Sequence, residues 1–377
     1  NKPESEHFYN ALRPNAERLA AVAKHLCDLV RSVDTTHPVT LAAAFPELSA
    51  NLGFLDAIDV AGYNYKENLY AAHHIQYPDK PFLGSENSHR FQDWLAVTDN
   101  GYIAGQFLWT GIDYLGEARG WPVHGSDAGL LTLAGFEKPG YYRRQSFWAE
   151  EPVIHLTTVR QCDDCTAPWG ETATDAYACE FAASGESWNY CPGELVTVKC
   201  YTNLSRIELF LNNQHLGTYE KNQDKDCIII TIPFEPGTLT AKGSKNDTSV
   251  SHSLYTTMAA CQMSVQEYRL DPEITELIGN AVGSRNPLHQ FEVMLRDGNG
   301  RRVCHDATLL TVTVENGTLL GLENGDLADT TEYSANYRRA YRGQLIIYAA
   351  DNEATSADTP LTVTVRGDFI RTERITV

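Results

Sequence analysis

Two kinds of hydrophobic pattern occupy the first part of the chain. After Asn15, which can cap a helix, apolar residues recur at helical spacing and predict a helix over residues 16–33. Its apolar face consists of Leu19, Val22, Leu26, Leu29, Val30 and Val33. Four short apolar runs follow, and each is a candidate buried strand. These runs are Pro38–Ala42, Ile58–Gly62, Pro81–Gly84 and Gly105–Trp109.

The spacing of these four runs favours a parallel sheet. They begin about 20 to 25 residues apart, which is typical of repeated βα units. Polar or aromatic residues stand at or just after the ends of the last three runs, at Tyr63–Tyr65, Ser85–Asn87 and Trp109–Thr110. In a βα barrel the carboxyl ends of the strands carry the chemistry, so these residues are the first candidates for a site.

After Trp148 the pattern changes to strand-length pieces with turn residues between them. The first series contains Leu195–Tyr201, Arg206–Leu211 and Cys227–Ile232. A second series, beginning near residue 262, contains Phe291–Leu295, Leu309–Val314, Leu345–Tyr348 and Leu361–Val365. Two consecutive β-sandwiches of about 110 to 120 residues explain this better than one large sheet does.

Charge and composition exclude several classes of partner. Asp and Glu total 49 against 30 Lys and Arg, giving a formal net charge of −19. Nucleic acid needs clustered Lys and Arg, so we expect no nucleic-acid partner. No apolar run reaches the length of a membrane-spanning helix, so no membrane span is expected. The first residue is Asn1 rather than Met, which predicts a processed product or a fragment.

Nine cysteines leave three interpretations open. Because the number is odd, at least one thiol is unpaired or pairs between chains. Cys162 and Cys165 form a single C-x-x-C, followed by Cys179, Cys191 and Cys200. No second C-x-x-C or His pair completes a zinc site, so loop disulfides and free thiols are preferred to a metal.

Glu86 is the leading candidate for catalysis, because it follows the apolar run Pro81–Gly84 and the small residue Ser85. A charge at the end of a buried strand is costly unless it is paired or lies in a cleft. It could instead cap the next helix or pair with Arg90. Trp109 could hold a sugar ring or pack in the core, and Tyr65 could donate a hydrogen bond to a carboxylate or be an ordinary half-buried tyrosine.

Several other kinds of site find no support. The chain has no G-x-S-x-G nucleophile elbow and no phosphate-binding glycine motif. His73 and His74 are adjacent, and neighbours on a helix face different directions, so a shared metal is not expected. We predict no metal and no cofactor.

Longer motifs resemble glycoside hydrolase family 2, and their order, spacing and strand context match that family. In the first part they are Asp59–Tyr65, Tyr77–Glu86, Gly105–Glu117, Gly135–Phe136, Tyr141–Tyr142 and Phe147–Trp148. The later motifs Arg206–Asn212 with His215–Gly217, and Glu315–Asp326, resemble the family's C-terminal β-sandwich modules. The resemblance implies a multidomain α/β plus all-β chain. We expect the C-terminal half of a TIM (β/α)8 barrel (strands five to eight) over 1–148, and two immunoglobulin-like β-sandwiches over 149–258 and 259–377.

The resemblance also implies retaining hydrolysis of a β-glycoside by two carboxylates. Glu86 matches the family's nucleophile, Tyr65 the tyrosine that supports it, and Trp109 the tryptophan that lines the sugar subsite. Asn64 and Glu117 are weaker candidates for substrate hydroxyl contacts. The family's acid/base lies in an Asn-Glu pair that ends the fourth strand, and no such pair stands in a strand context in this sequence. We therefore expect the parent protein to be the enzyme, and this chain alone to be inactive or nearly so on natural glycosides.

The same resemblance narrows the substrate, and the exposed edges of a half barrel favour self-association. Family glucuronidases carry an Asn-x-Lys after the eighth strand, where this chain reads Ser126–Gly129 and has no cation. That favours a β-galactoside over a β-glucuronide, with a β-mannoside also open. A homodimer is possible, and a periplasmic or secreted bacterial location is favoured over a cytoplasmic one. The alternative is a carbohydrate-binding or assembly module, for which Trp169, Trp188 and Tyr190 would supply exposed rings.

Overall fold

The computed structural model describes residues 16–160, 185–223, 225–268, 287–353 and 355–377. It divides into two compact units, of which the first ends at Gly111 and the second begins at Ile112. The expected boundary after residue 148 stays a prediction. Asn15 and Trp169 lie outside the described residues, as do Cys162, Cys165 and Cys179.

The first unit contains the predicted parallel sheet. Its four strands are β1 (Thr40–Ala43), β2 (Val60–Asn64), β3 (Phe82–Asn87) and β4 (Ile103–Leu108). They pair side by side in chain order, and every pairing is parallel. The four apolar runs are therefore confirmed as strands, although β3 continues through Asn87, beyond the end of its run.

Helical segments connect the strands of the first unit, as parallel neighbours require. The α-helices are α1 (Ala16–Val33), α2 (Pro46–Ser49), α3 (Tyr70–Gln76) and α4 (Phe91–Thr98). Short 3₁₀ turns cover Ala50–Leu52, Leu55–Ala57 and Glu67–Leu69. The core between them is aromatic, because Tyr63 and Phe82 are buried and their rings meet edge to face at 5.5 Å. The Tyr63 hydroxyl lies 2.6 Å from Nδ1 of His73, whereas His74 stacks on Tyr102.

Helix α1 spans the predicted residues, but it buries a different face from the one its leucines suggest. Ala20, Ala23 and Cys27 are its buried side chains, while Leu26 and Val33 remain exposed, like the rest of the predicted apolar stripe. The small side chains lie along one edge of that stripe. They let the helix approach its neighbours closely and leave the larger residues outward.

The second unit begins with a hairpin and a helix. Strands β5 (Tyr114–Gly120) and β6 (Val123–Ser126) pair antiparallel, and helix α5 covers Pro139–Trp148. The sequence pattern did not predict this hairpin, because most of the β5 side chains are exposed and carry no apolar alternation.

Two sheets around a shared core follow. Strands β7 (Ile154–Arg160), β8 (Leu195–Thr202) and β11 (Cys227–Pro233) form the first sheet, in the order β11-β8-β7. The second contains β9 (Arg206–Leu211), β10 (Gln214–Glu220), β12 (Thr238–Lys245) and β13 (Thr248–Tyr255), in the order β10-β9-β12-β13. Val198, Leu209 and Leu239 lie in the core between these sheets.

The last strands repeat this arrangement. One sheet has the order β14-β15-β19-β17, with β14 (Gln262–Tyr268), β15 (Leu288–Arg296), β19 (Gln344–Asp351) and β17 (Gly317–Glu323). The other has the order β18-β16-β20-β21, with β18 (Tyr337–Arg339), β16 (Leu309–Glu315), β20 (Thr362–Gly367) and β21 (Ile370–Thr376). Phe291, Val312, Ile347 and Val363 share its core. All seven strand pieces expected after Trp148 are confirmed as strands.

Trp188 is a core residue rather than an exposed ring. Its side chain is 0% exposed, and its indole Nε1 donates to the carbonyl of Glu235 at 3.0 Å. Tyr190 packs against the same core and donates its hydroxyl proton to Thr158. Neither residue therefore provides the exposed aromatic surface that a carbohydrate-binding module would need.

Six cysteines lie in the described ranges, and all six are free thiols: Cys27, Cys191, Cys200, Cys227, Cys261 and Cys304. The loop disulfides considered for Cys191 and Cys200 are therefore wrong. Among the described residues, no helix combines the length and the apolar character needed to cross a membrane.

Candidate functional site

Glu86 and Asn64 face each other across the parallel pair β2 and β3. The sheet register places Asn64 opposite Glu86, after an irregularity between Tyr63 and Asn64. The backbone N–H of Tyr65 then donates to the carbonyl of Glu86 at 2.8 Å. The carboxyl end of β2 is thus fixed directly beside the carboxylate.

A short relay of hydrogen bonds orients the Glu86 side chain. The Ser85 hydroxyl donates to Oδ1 of Asn64 at 2.8 Å, which directs the amide Nδ2 toward Glu86. Nδ2 donates to Oε2 of Glu86 at 3.2 Å. Among the residues that the structure describes, Oε1 receives no hydrogen bond, and the side chain is only partly buried. One carboxylate oxygen is held in place while the other is open to an incoming group.

Tyr65 adopts an unusual backbone conformation at this point. Its φ is 56°, in the left-handed region that bulky residues rarely occupy and that costs about 1 kcal/mol or more. Such conformations persist where the surroundings enforce them, and they cluster at functional sites. The structure brings the Tyr65 backbone to Glu86; the expected bond from its hydroxyl to the carboxylate stays a prediction.

Asn87, one of the polar residues that the sequence places at the end of this run, has a buried side-chain amide next to Glu86 in the chain. Asn87 is fully buried, and its Nδ2 donates to Oε1 of Glu67 at 2.7 Å. Burial raises the pKa of the Glu67 carboxyl. A Cβ on Gly84 would lie 1.9 Å from Oδ1 of Asn87, so this strand position accepts only glycine while Asn87 stays in place. In the sequence, the glycine two residues before Glu86 was the sign that another group packs closely against this strand.

Arg90, considered above as a partner of Glu86, forms a two-pronged ion pair with Asp93. Its Nε and terminal nitrogen lie 3.1 and 3.0 Å from the two carboxylate oxygens. Asp93 is buried and also accepts a hydrogen bond from Ser88. The guanidinium therefore anchors the start of α4.

Trp109 follows β4, the next strand of the sheet. Its backbone N–H donates to the carbonyl of Asn87 at 2.9 Å, so it stands at the same sheet edge as Glu86. The Trp109 side chain is 40% exposed, and the Trp109–Thr110 peptide bond is cis. An exposed indole at this edge is suited to packing against the C–H face of a sugar ring.

Glu117 belongs to the second unit. It lies on the exposed strand β5 with φ of 49°, and the Tyr114 hydroxyl donates to its carboxylate. Its expected contact with a substrate hydroxyl stays a prediction.

The stretch from Ser126 to Gly129, expected to have no cation, has two nearby in the folded chain. Nζ of Lys138 lies 2.6 Å from the carbonyl of Asp127, and Arg119 lies 3.8 Å from the Asp127 carboxylate. Lys138 is also paired with the buried Asp113 at 2.8 Å. These cations come from elsewhere in the sequence, so the local motif could not reveal them.

A second cluster of ionisable side chains lies in the second unit, and sequence reasoning missed it. Glu186 lies 3.0 Å from Nε2 of His155 and also pairs with Arg302. Burial alone would raise the pKa of the Glu186 carboxyl, but His155 and Arg302 outweigh it and hold the pKa at about 2. Burial, helped by the charge of His155, lowers the pKa of His252 to about 4.

The ligand atoms of His155, Glu186 and His252 lie within 4.8 Å of one another, which raises the question of a metal. The backbone N–H of Leu156 donates to Nδ1 of His252 at 3.1 Å, so the neutral ring carries its proton on Nε2. Neither nitrogen of His252 then offers a free lone pair, and Arg302 already neutralises Glu186. These residues fit a hydrogen-bonded cluster better than a metal site.

Family models match two segments of the chain. Residues 193–251 match a domain of unknown function, DUF4982, and residues 282–376 match glycoside hydrolase family 2 C-terminal domain 5. Among curated proteins, the chain is 27% identical over 397 aligned residues to Beta-galactosidase BoGH2A of Bacteroides ovatus. That alignment covers 92% of this chain and 42% of the relative, so the chain spans less than half the relative's length.

Solved structures of glycoside hydrolase family 2 members are similar in fold to this chain. A glycosyl hydrolase family 2 member from Bacteroides cellulosilyticus matches with a TM-score of 0.78 at 25% identity, covering 96% of this chain and 46% of the other. A beta-glucuronidase from glycoside hydrolase family 2 matches with a TM-score of 0.65 at 13% identity, covering 95% and 37%. The C-terminal domain model, the curated relative and the Bacteroides cellulosilyticus structure together show that this chain resembles the C-terminal portion of glycoside hydrolase family 2 proteins.

Proposed function

We propose that Glu86 is the nucleophile of a retaining β-glycosidase, with Trp109 lining the sugar subsite. The observation that carries this proposal is the hydrogen bond from Asn64 to one Glu86 oxygen, which leaves the other open. The strained Tyr65 backbone and the exposed indole of Trp109 at the same sheet edge support it.

The reaction then has two steps. An oxygen of Glu86 attacks the anomeric carbon, the bond to the leaving oxygen breaks, and a glycosyl ester forms. Water hydrolyses that ester in the second step and restores the carboxylate. A second carboxylic acid protonates a poor leaving group in the first step, which is worth about 10²- to 10⁴-fold in rate. We assign no residue of this chain to that role.

The proposal also includes a domain architecture and a substrate. The parallel sheet would be strands five to eight of a (β/α)8 barrel in a domain over 1–148, with immunoglobulin-like sandwiches over 149–258 and 259–377. The β-galactosidase among the relatives favours a β-galactoside. A β-glucuronide and a β-mannoside are the alternative substrates.

Trapping the glycosyl ester tests whether Glu86 is the nucleophile, and the experiment does not require a general acid. A dinitrophenyl 2-deoxy-2-fluoro-β-galactoside has a leaving group that needs no proton, and its fluorine slows hydrolysis of the ester. We expect the intact chain to gain one fluorosugar, and peptide mass spectrometry to locate it on Glu86. The corresponding glucuronide should label more slowly if the substrate is a galactoside.

Two variants make the trapping experiment decisive. Glu86→Gln should abolish labelling, whereas Glu208→Gln, on the exposed face of β9, should leave it unchanged. Absence of label on the unaltered chain, or label on a different carboxylate, would contradict the assignment of Glu86. Faster labelling by the glucuronide would contradict only the choice of sugar.

A further inference from the structure

A polar cleft of about 610 Å³ lies in the second unit, between the two pairs of sheets. One wall includes Asn189, Tyr255 and Thr257, and the other includes Arg296 and Arg301. Its volume falls in the range of small-molecule sites, roughly 300 to 1,000 Å³. The site proposed around Glu86 belongs to the first unit and uses none of these residues.

The charge of this cleft is opposite to that of the chain. Three arginines line it, Arg296, Arg301 and Arg302, in a protein whose net charge is −19. Among its described lining residues Glu186 is the one carboxylate, and it pairs with Arg302. Within the described ranges, neither Arg296 nor Arg301 has a carboxylate at ion-pair distance. Arg301 acts electrostatically on Asp297 and Arg296 on Glu292, but within the described ranges neither guanidinium is tied up in a direct ion pair.

Both guanidinium groups are held in position rather than free to swing. Arg301 lies over the Tyr255 ring at 4.5 Å, and its guanidinium donates a long hydrogen bond, 3.4 Å, to the carbonyl of Thr256. Arg296 donates to Ser264 and to the carbonyl of Gly300, each at 2.9 Å. A guanidinium has five N–H donors. Most donors of Arg301 and some of Arg296 are thus still available to a ligand.

The remaining lining groups suit a hydroxylated ligand. Asn299 is exposed and its side-chain amide has no protein partner among the described residues. Tyr255 is 38% exposed, lines the same cleft and lies against the Arg301 guanidinium. Fixed, planar guanidinium groups bind carboxylate and sulfate oxygens in pairs, while amides and phenols bind hydroxyls.

We propose that this cleft binds an acidic oligosaccharide, with Arg301 and Arg296 holding a carboxylate or sulfate group and Asn299 contacting sugar hydroxyls. The proposal is independent of catalysis by Glu86. It gives the two sandwiches a second, non-catalytic carbohydrate site that selects for negative charge.

Calorimetric titration of the full chain tests this with three sugars of equal length: trigalacturonate, a sulfated galactotriose and neutral galactotriose. We expect at least one acidic sugar to bind about ten-fold or more tightly than the neutral one, since charge-assisted hydrogen bonds are the strong ones. That affinity should fall at high salt. Whichever acidic sugar binds with the higher affinity shows whether the cleft prefers a carboxylate or a sulfate group. Equal binding of all three, or no binding of either acidic sugar, would overturn the proposal.

Variants locate the site. Arg301→Gln and Arg296→Gln should each weaken the acidic sugar about ten-fold, and Arg301→Lys should restore part of the loss because it keeps the charge. Arg366→Gln removes an exposed arginine outside the cleft and should have no effect. Unchanged affinity in both glutamine variants, with unchanged melting temperatures, would overturn the site. Loss of binding in Glu86→Gln would assign the sugar to the proposed active site instead.

Discussion

The amide Nδ2 of Asn64 donates to Oε2 of Glu86 at 3.2 Å, and the same amide is held from behind by the Ser85 hydroxyl. The carboxylate is therefore positioned by a neighbouring strand rather than by its own backbone alone. A hydrogen bond to a charged group contributes about 1.5 to 3 kcal/mol, which is enough to affect the rate of attack.

Asn64→Ala should slow fluorosugar labelling of Glu86 by roughly 10- to 100-fold, because the carboxylate loses the donor that orients it. The measurement is the labelling rate from intact-protein mass spectra. Asn68→Ala is the matched control, since Asn68 is an exposed asparagine a few residues along the chain. An equal effect of both substitutions would argue against a specific role for Asn64.

Gly84→Ala should destabilise the first unit by about 1 to 3 kcal/mol, because the new methyl group collides with the buried Asn87 amide. Displacing Asn87 also moves its neighbour Glu86, so labelling should slow. Denaturant unfolding followed by fluorescence measures the first effect. Gly101→Ala is the control, since a Cβ at Gly101 meets nothing within 4 Å. If both variants unfold alike, the close approach of Gly84 to Asn87 is wrong.

The buried His252 should make the second unit less stable in mild acid. Its pKa is lowered from 6.5 to about 4 by burial, so the unfolded chain takes up a proton that the folded chain excludes. The free energy of unfolding should then fall by on the order of 2 kcal/mol as the pH drops from 6.5 toward 4. Glu186, with its pKa lowered from 4.5 to about 2, loses its contribution as the pH falls from about 4.5 toward 2, so its effect overlaps only the acid end of the His252 window.

His252→Asn should flatten this pH dependence while keeping an acceptor for the Leu156 N–H. Urea unfolding at a series of pH values measures it, with the exposed His215→Gln variant as control. A slope that survives in His252→Asn but disappears in His215→Gln would refute the role of His252.

Trp188→Ala should cost about 3 to 5 kcal/mol, since it leaves a large cavity and an unpaired carbonyl at Glu235. Trp121→Ala, at a side chain that is 78% exposed, should cost far less. Thermal unfolding compares the two. If Trp188→Ala were as stable as the unaltered chain, the alternative of an exposed sugar-binding ring would return.

The strands could be predicted from the sequence because each is an apolar run or an alternating piece bounded by turn residues. The carboxylate at the end of β3 was visible for the same reason: Glu86 interrupts an apolar run where a parallel sheet presents its chemistry. The exposed hairpin β5–β6 carries no such alternation and left no signal.

The groups that the sequence could not reveal are those assembled from distant positions. His155 and His252 come from two strands, Glu186 and Arg302 come from two connecting segments, and no spacing rule links them. Lys138 reaches Asp113 and Asp127 by the fold alone. For α1 the helical spacing of the apolar residues predicted the helix correctly. That spacing does not show which side of a wide apolar face is buried against the core. The buried side carries the small residues Ala20, Ala23 and Cys27.

Some of the free thiols are buried and others are exposed, so their rates of alkylation report how often each unit opens locally. Cys27 lies on the buried face of α1 in the first unit, and Cys200 is buried in the second, where burial raises its pKa to about 12. Cys191 and Cys261 are exposed. An alkylating reagent would modify the exposed pair at once and then reach Cys27 and Cys200 only at the rate at which each unit opens. One time course, read peptide by peptide, would therefore rank the kinetic stabilities of the two units within the same molecule.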